Sequence, residues 1–130
     1  MKTFLLGLLL WQIIVLAKPL ELNAHTFSAT VARNNVLVLF HTNWCKNCRP
    51  VHQVFEALSA ELRESNIIIA TVDAGTQKTV AYKEAIRSFP SVVLYHGSHR
   101  HFYEGNRKFD DVMRFITSRI SIARDDSQEK

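Results

Sequence analysis

Five consecutive apolar residues, Val36-Leu37-Val38-Leu39-Phe40, lead into Trp44-Cys45-Lys46-Asn47-Cys48, and beyond Cys48 the residues Val51, Val54, Phe55, Leu58 and Leu62 recur at three- and four-residue steps. The first run suits a strand buried on both faces. The second is the stripe of an amphipathic helix reaching to about Glu64. Ile67-Ile68-Ile69-Ala70-Thr71-Val72 then reads as another buried strand, parallel to the first if the helix between them is a right-handed crossover. The order is therefore a βαβ unit, and the cysteines fall at its strand-to-helix turn.

The flanking segments extend this core. Leu20-Glu21-Leu22-Asn23 predicts a first strand, followed by a short helix from Thr26 to Arg33. A helix is expected from Thr79 to Arg87, then Val92-Val93-Leu94-Tyr95-His96, a turn at Gly97-Ser98 and a strand from Arg100 to Tyr103, which together read as a β-hairpin. Phe109, Val112, Met113, Ile116 and Ile120 mark a final helix. The fold class is α/β, a three-layer α/β/α sandwich on a mixed central sheet.

Cys45 and Cys48 are the only cysteines in the chain. A bridge between them closes a very small loop and so constrains the unfolded chain little. A small secreted scaffold held by disulfides scatters several pairs. The spacing therefore favours a pair that opens and closes over a permanent staple.

The N-terminus bears on compartment. Lys2 precedes an apolar run from Phe4 to Ala17, short for a membrane span, with small residues Val15 and Ala17 at a cleavage position. Residues 1–17 read as a secretory signal peptide, with an uncleaved membrane anchor as the alternative, residues 18–123 as one domain, and residues 124–130 as a polar tail. The net charge of +4 is mild, with no Lys/Arg run or aromatic-basic interleaving, and does not favour nucleic acid as a partner. No stable membrane association is expected once the signal is cleaved. Ser127-Gln128-Glu129-Lys130 is not a retrieval signal, which favours secretion over retention in the endoplasmic reticulum lumen.

The Trp-Cys-x-x-Cys motif, the βαβ unit around it and Ser88-Phe89-Pro90-Ser91 ahead of the hairpin resemble the thioredoxin-fold family, in particular single-domain proteins of the protein disulfide isomerase kind. Tyr103-Glu104-Gly105-Asn106-Arg107 is similar to the aromatic-x-Gly-x-Arg segment of isomerase catalytic domains. The resemblance implies a cis Pro90 facing the cysteines, with the Phe89 backbone and Trp44 forming a substrate platform. It also implies that Arg107 approaches Cys48 and favours its thiolate.

The position of the motif assigns roles within that picture. A thiolate at a helix N-terminus meets unsatisfied N–H groups and the positive end of the helix dipole, so Cys45 is the expected nucleophile. Cys48, one turn into the helix and more buried, is the expected resolving thiol. Lys46 adds positive charge beside the thiolate or is a plain surface charge. Asn47 stands where isomerases usually carry a histidine, which predicts a potential below that of a strongly oxidising isomerase.

Two positions depart from the family pattern. Leu39 occupies the site of its usual buried acid, and Gln53 that of its helix-kinking proline, while Pro50 lies nearer the helix start. His41 shares a strand face with Leu39 and is either a partial substitute for the missing proton relay or a packed strand-end histidine.

The resulting expectation is a thiol–disulfide oxidoreductase or isomerase acting on thiols and disulfides of proteins, monomeric, with no bound cofactor. Two rivals remain. A zinc site could draw on Cys45 and Cys48 with His41 or His52. A redox-idle chaperone or binding module could use the surface around Trp44, Phe89 and Pro90. His96, His99 and His101 are expected in a hairpin loop at the opposite end of the sheet.

Overall fold

The computed structural model describes residues 17–123. The expected signal peptide falls almost wholly outside the described residues, as does the C-terminal tail. The strands are β1 (Leu20–Glu21), β2 (Asn35–His41), β3 (Ile67–Asp73), β4 (Ser91–His96) and β5 (His99–Tyr103). The helices are α1 (Phe27–Arg33), α2 (Cys48–Glu61), α3 (Lys78–Lys83) and α4 (Phe109–Arg119).

The strands form one mixed sheet in the order β1-β3-β2-β4-β5. β2 runs parallel to β3, with Asn35 opposite Ile67 and His41 opposite Asp73. On its other side β2 is antiparallel to β4, with Val36 opposite Tyr95 and Phe40 opposite Ser91. These registers bring the end of β2, the end of β3 and the start of β4 to one edge of the sandwich. The hairpin turn lies at the other.

Side-chain alternation along β2 divides the core in two. Leu37 and Leu39 face Val51, Phe55 and Leu58 of α2 and Val112 and Ile116 of α4. Val36, Val38 and Phe40 face Phe27 of α1 and Val80 of α3. Both faces of the central strand are covered, which its apolar residues from Val36 to Phe40 suit, and the predicted three layers form. In α4, Asp110 and Asp111 occupy the first turn and Arg119 the last, each sign at the end of the helix dipole that favours it.

Several boundaries differ from the sequence expectation. β1 stops at Glu21, although Leu22 still donates its backbone N–H to Thr71 at 2.9 Å. β5 starts at His99, directly opposite His96, so Gly97 and Ser98 alone make the turn. The helix expected over Thr79–Arg87 ends at Lys83. There Ile86 N–H bonds the Ala81 carbonyl at 2.9 Å and Ala85 N–H the Tyr82 carbonyl at 3.1 Å, with Ala85 at φ 58°. That pair of bonds is the Schellman arrangement, which closes a helix by turning one residue left-handed. It is built here without glycine.

Candidate active site

The motif sits where β2 gives way to α2. After His41 the chain turns, with Cys45 N–H bonding the Thr42 carbonyl and Cys48 N–H bonding the Cys45 carbonyl, both at 3.3 Å. The helix begins at Cys48 itself, with Asn47 as N-cap and no side-chain cap bond. Cys48 therefore stands at the first helical position, not a full turn inside as the sequence reading had it, and Cys45 lies in the turn ahead. Pro50 falls in the first turn, where its missing N–H forfeits no helical bond. Gln53 continues the helix.

Cys45 and Cys48 are joined as a disulfide, with their Cα atoms 5.4 Å apart. The two sulfur positions are not equivalent. Cys48 is 2% exposed and lies on the face of α2 that also buries Val51, Phe55 and Leu58. Cys45 is only half-buried. An incoming group meets Cys45 first.

The surroundings come from three further segments. The Phe89–Pro90 peptide is cis, and Pro90 directly precedes β4. Trp44 is 74% exposed, and its ring stands edge-on to Phe89 at 5.9 Å between centroids. It is an exposed ring braced by one aromatic neighbour. Arg107 Nη2 donates to the Pro90 carbonyl at 3.3 Å. The sequence reading aimed this guanidinium at Cys48; its hydrogen bond ties the segment before α4 to the proline.

Local packing sets the approach of Arg107. The Tyr103 hydroxyl donates to the Asn106 carbonyl and its ring packs on Phe115 at 4.8 Å. A Cβ on Gly105 would come within 2.6 Å of that hydroxyl oxygen. Glycine is therefore what lets Tyr103 fold back over the turn. The aromatic-x-Gly-x-Arg spacing was visible in the sequence, but the tyrosine clasp was not.

Leu39 is fully buried in the core beneath α2, and His41 follows on the same face. The His41 ring meets that of His52 edge-on, with centroids 4.3 Å apart. Burial and the neighbouring His52 both lower the pKa of His41 below the ordinary histidine value, against the opposing pull of Asp73 and Glu21. Both rings, both cysteines, Trp44, and exposed Lys46 line one open cleft. Asn47 is exposed at the helix cap. Sequence reasoning treated His52 only as a candidate zinc ligand; its contact with His41 joins residues of separate elements. Thr42 was also missed. Its hydroxyl is buried in the cleft wall without a hydrogen-bond partner among the described residues.

Among the described residues, no group of three or more His, Cys, Asp and Glu converges as a metal site. His96, His99 and His101 lie at the hairpin end, where His96 Nδ1 is 2.7 Å from Asn35 Oδ1. No helix among the described residues is long and apolar enough to cross a membrane.

A mixed five-stranded sheet with a Cys-x-x-Cys pair at the β2–α2 turn, beside a proline ahead of β4, defines the class. The chain belongs to the thioredoxin family, whose family model, described as Thioredoxin, matches residues 18–118. Among curated proteins it is similar to protein disulfide-isomerase 5-1 of Arabidopsis thaliana, 28% identical over 119 residues that cover 88% of this chain and 82% of that one. It is also similar to protein disulfide isomerase-like 2-1 of Oryza sativa subsp. japonica, 28% identical over 109 residues covering 80% of this chain. The chain spans only 30% of the length of that rice protein. Among solved structures, the first thioredoxin domain of mouse protein disulfide-isomerase A4 superimposes with a TM-score of 0.68 at 23% identity, covering 75% of this chain and 72% of that one.

Proposed function

We propose that this chain is a thiol–disulfide oxidoreductase that reduces, forms or isomerises disulfides of secretory proteins through Cys45 and Cys48. The observation that carries the reading is the asymmetry of the pair: a half-buried Cys45 just ahead of a helix N-terminus and a buried Cys48 at its first residue. In the reducing direction the Cys45 thiolate attacks a substrate disulfide, one substrate sulfur leaves as thiolate, and a mixed disulfide remains. Cys48 then attacks Cys45, releasing the second substrate thiolate and leaving the domain oxidised by two electrons. No bound cofactor is needed.

The neighbours take roles around that exchange. Trp44, Phe89 and Pro90 form the face on which a substrate chain lies, and Arg107 braces the Pro90 carbonyl. Lys46 and Asn47, next to Cys45, modulate its thiolate. The apolar run after Lys2 supports delivery to the secretory pathway, into the endoplasmic reticulum lumen or beyond.

Insulin reduction by residues 18–130, with Cys48→Ser alongside, tests the reading. The wild-type domain is expected to turn over and Cys48→Ser to accumulate a mixed disulfide through Cys45. An inert wild type and no trapped species would turn the Trp44–Phe89 surface into that of a redox-idle binding module.

A further inference from the structure

Cys48 presents a chemical problem that the oxidoreductase reading, on which this inference rests, leaves open. Its thiol must lose a proton before it attacks Cys45, yet it is buried among apolar residues of α2, where burial disfavours the thiolate. The strand beneath offers Leu37 and Leu39, which accept no proton. A base must reach the thiol from elsewhere.

The titratable groups lining the same cleft are His41, Lys46, Arg49, His52 and Glu56. Lysine and arginine arrive already protonated at neutral pH and serve only as donors. Glu56 is two turns beyond Cys48, and a carboxylate is a weaker base than imidazole. His52 is four residues from Cys48 on α2, the spacing that sets two side chains one above the other with about 5–6 Å between Cβ atoms. His41 reaches the same place from β2 and touches the His52 ring at 4.3 Å between centroids.

We propose that the His41–His52 ring pair is the proton acceptor for Cys48 in the resolving step. The thiol proton passes to an imidazole nitrogen of the pair as the Cys48 thiolate forms. That thiolate attacks Cys45 Sγ, the bond from Cys45 to substrate sulfur breaks, and its electron pair leaves on the substrate. The imidazolium then gives its proton to the departing thiolate or to solvent.

Opposing influences act on a proton held by the pair. His41 faces His52 from α2, Asp73 from β3 and Glu21 from the end of β1. Its partial burial and the neighbouring imidazole both oppose a positive charge on His41, while the two carboxylates favour one. The cleft thus sets the imidazole nitrogens of two histidines against the same wall as the buried thiol.

The test separates resolution from the first attack. Resolution of a peptide mixed disulfide is followed by rapid acid quench in wild type and in the His41→Gln/His52→Gln double variant. First attack by Cys45 is read in the Cys48→Ser background with and without the same changes. Resolution in the double variant is expected to slow on the order of 100-fold near pH 7, at the low end of general acid–base assistance, and to lose the histidine-dependent inflection expected of wild type. First attack should keep its rate. An unchanged rate and pH profile for resolution in the folded double variant would overturn the proposal.

A second measurement leaves both histidines in place. NMR titration of the ring protons in the reduced protein should show the His41 and His52 curves shifting on Cys48→Ala, because coupled protons perturb one another. Curves that do not move would also overturn the proposal. Absence of any mixed disulfide in Cys48→Ser would instead remove the oxidoreductase reading, with the NMR result still deciding whether the pair is coupled to Cys48.

Discussion

Thr42 and His41 are neighbours in sequence with opposite costs. The Thr42 hydroxyl is buried and has no hydrogen-bond partner among the described residues, a state that forfeits about 1–3 kcal/mol of solvation. Thr42→Val, similar in shape, should leave urea stability unchanged or raise it by up to ~1 kcal/mol; a loss of that size would show that the hydroxyl is bonded in solution. For His41 the folded pKa is lowered, by burial first and by His52 second. The native state therefore binds fewer protons than the unfolded chain between that depressed value and the ordinary ~6.5. The His41 contribution should be fully present above about pH 6.5 and decline as pH falls through the folded value. Urea midpoints at pH 5, 6 and 7 should fall more steeply toward acid for wild type than for His41→Gln, and parallel curves would clear His41 as the cause. The Cys45–Cys48 spacing was legible residue by residue. The ring contact between His41 and His52 was not, because it depends on how α2 lies over the end of β2.

Among the elements, α3 shows how a helix end escapes a sequence pattern. The sequence reading expected a helix to Arg87, but the left-handed turn at Ala85 stops it after one and a half turns and returns Ile86 to the core beside Val80. A left-handed alanine costs about 1–2 kcal/mol, so no glycine or proline announced the stop. Ala85→Gly should raise stability by up to ~1 kcal/mol, the relief of strain being partly offset by the freer unfolded chain; thermal melts of the pair would show it. The β4–β5 hairpin is the converse case, since Gly97 carries φ 61° at a turn the sequence had located. Gly97→Ala should cost about 1–2 kcal/mol with no effect on thiol exchange, because the turn is at the end of the sheet away from Cys45. Apolar periods marked the strands and long helices correctly, since burial on one or two faces imposes them directly. Short helices and exact ends follow from capping bonds, which leave weaker traces.

At the scale of the molecule, the disulfide contributes little to holding the fold together. Its loop is so short that chain entropy assigns it only about 2 kcal/mol, whereas two core clusters pack on opposite sides of the sheet. The reduced protein should therefore stay folded, with its urea stability lowered by no more than ~2 kcal/mol. Matched denaturation curves with and without dithiothreitol would check this, and unfolding on reduction would make the bridge a structural staple after all. Linear order determined a great deal. The alternation of apolar runs and stripes required a three-layer sandwich, and the cysteines between strand and helix had to lie at its edge, because both are consequences of burying apolar surface along a continuous chain. Tertiary structure alone decided what surrounds the pair. Arg107 reaches the Pro90 carbonyl, Trp44 meets Phe89, and His41 meets His52. These partners are 17, 45 and 11 residues apart in the chain, and no periodic signal links them. Only the register of the strands and the seating of α2 bring them within contact, and the chemistry of the cleft depends on those contacts.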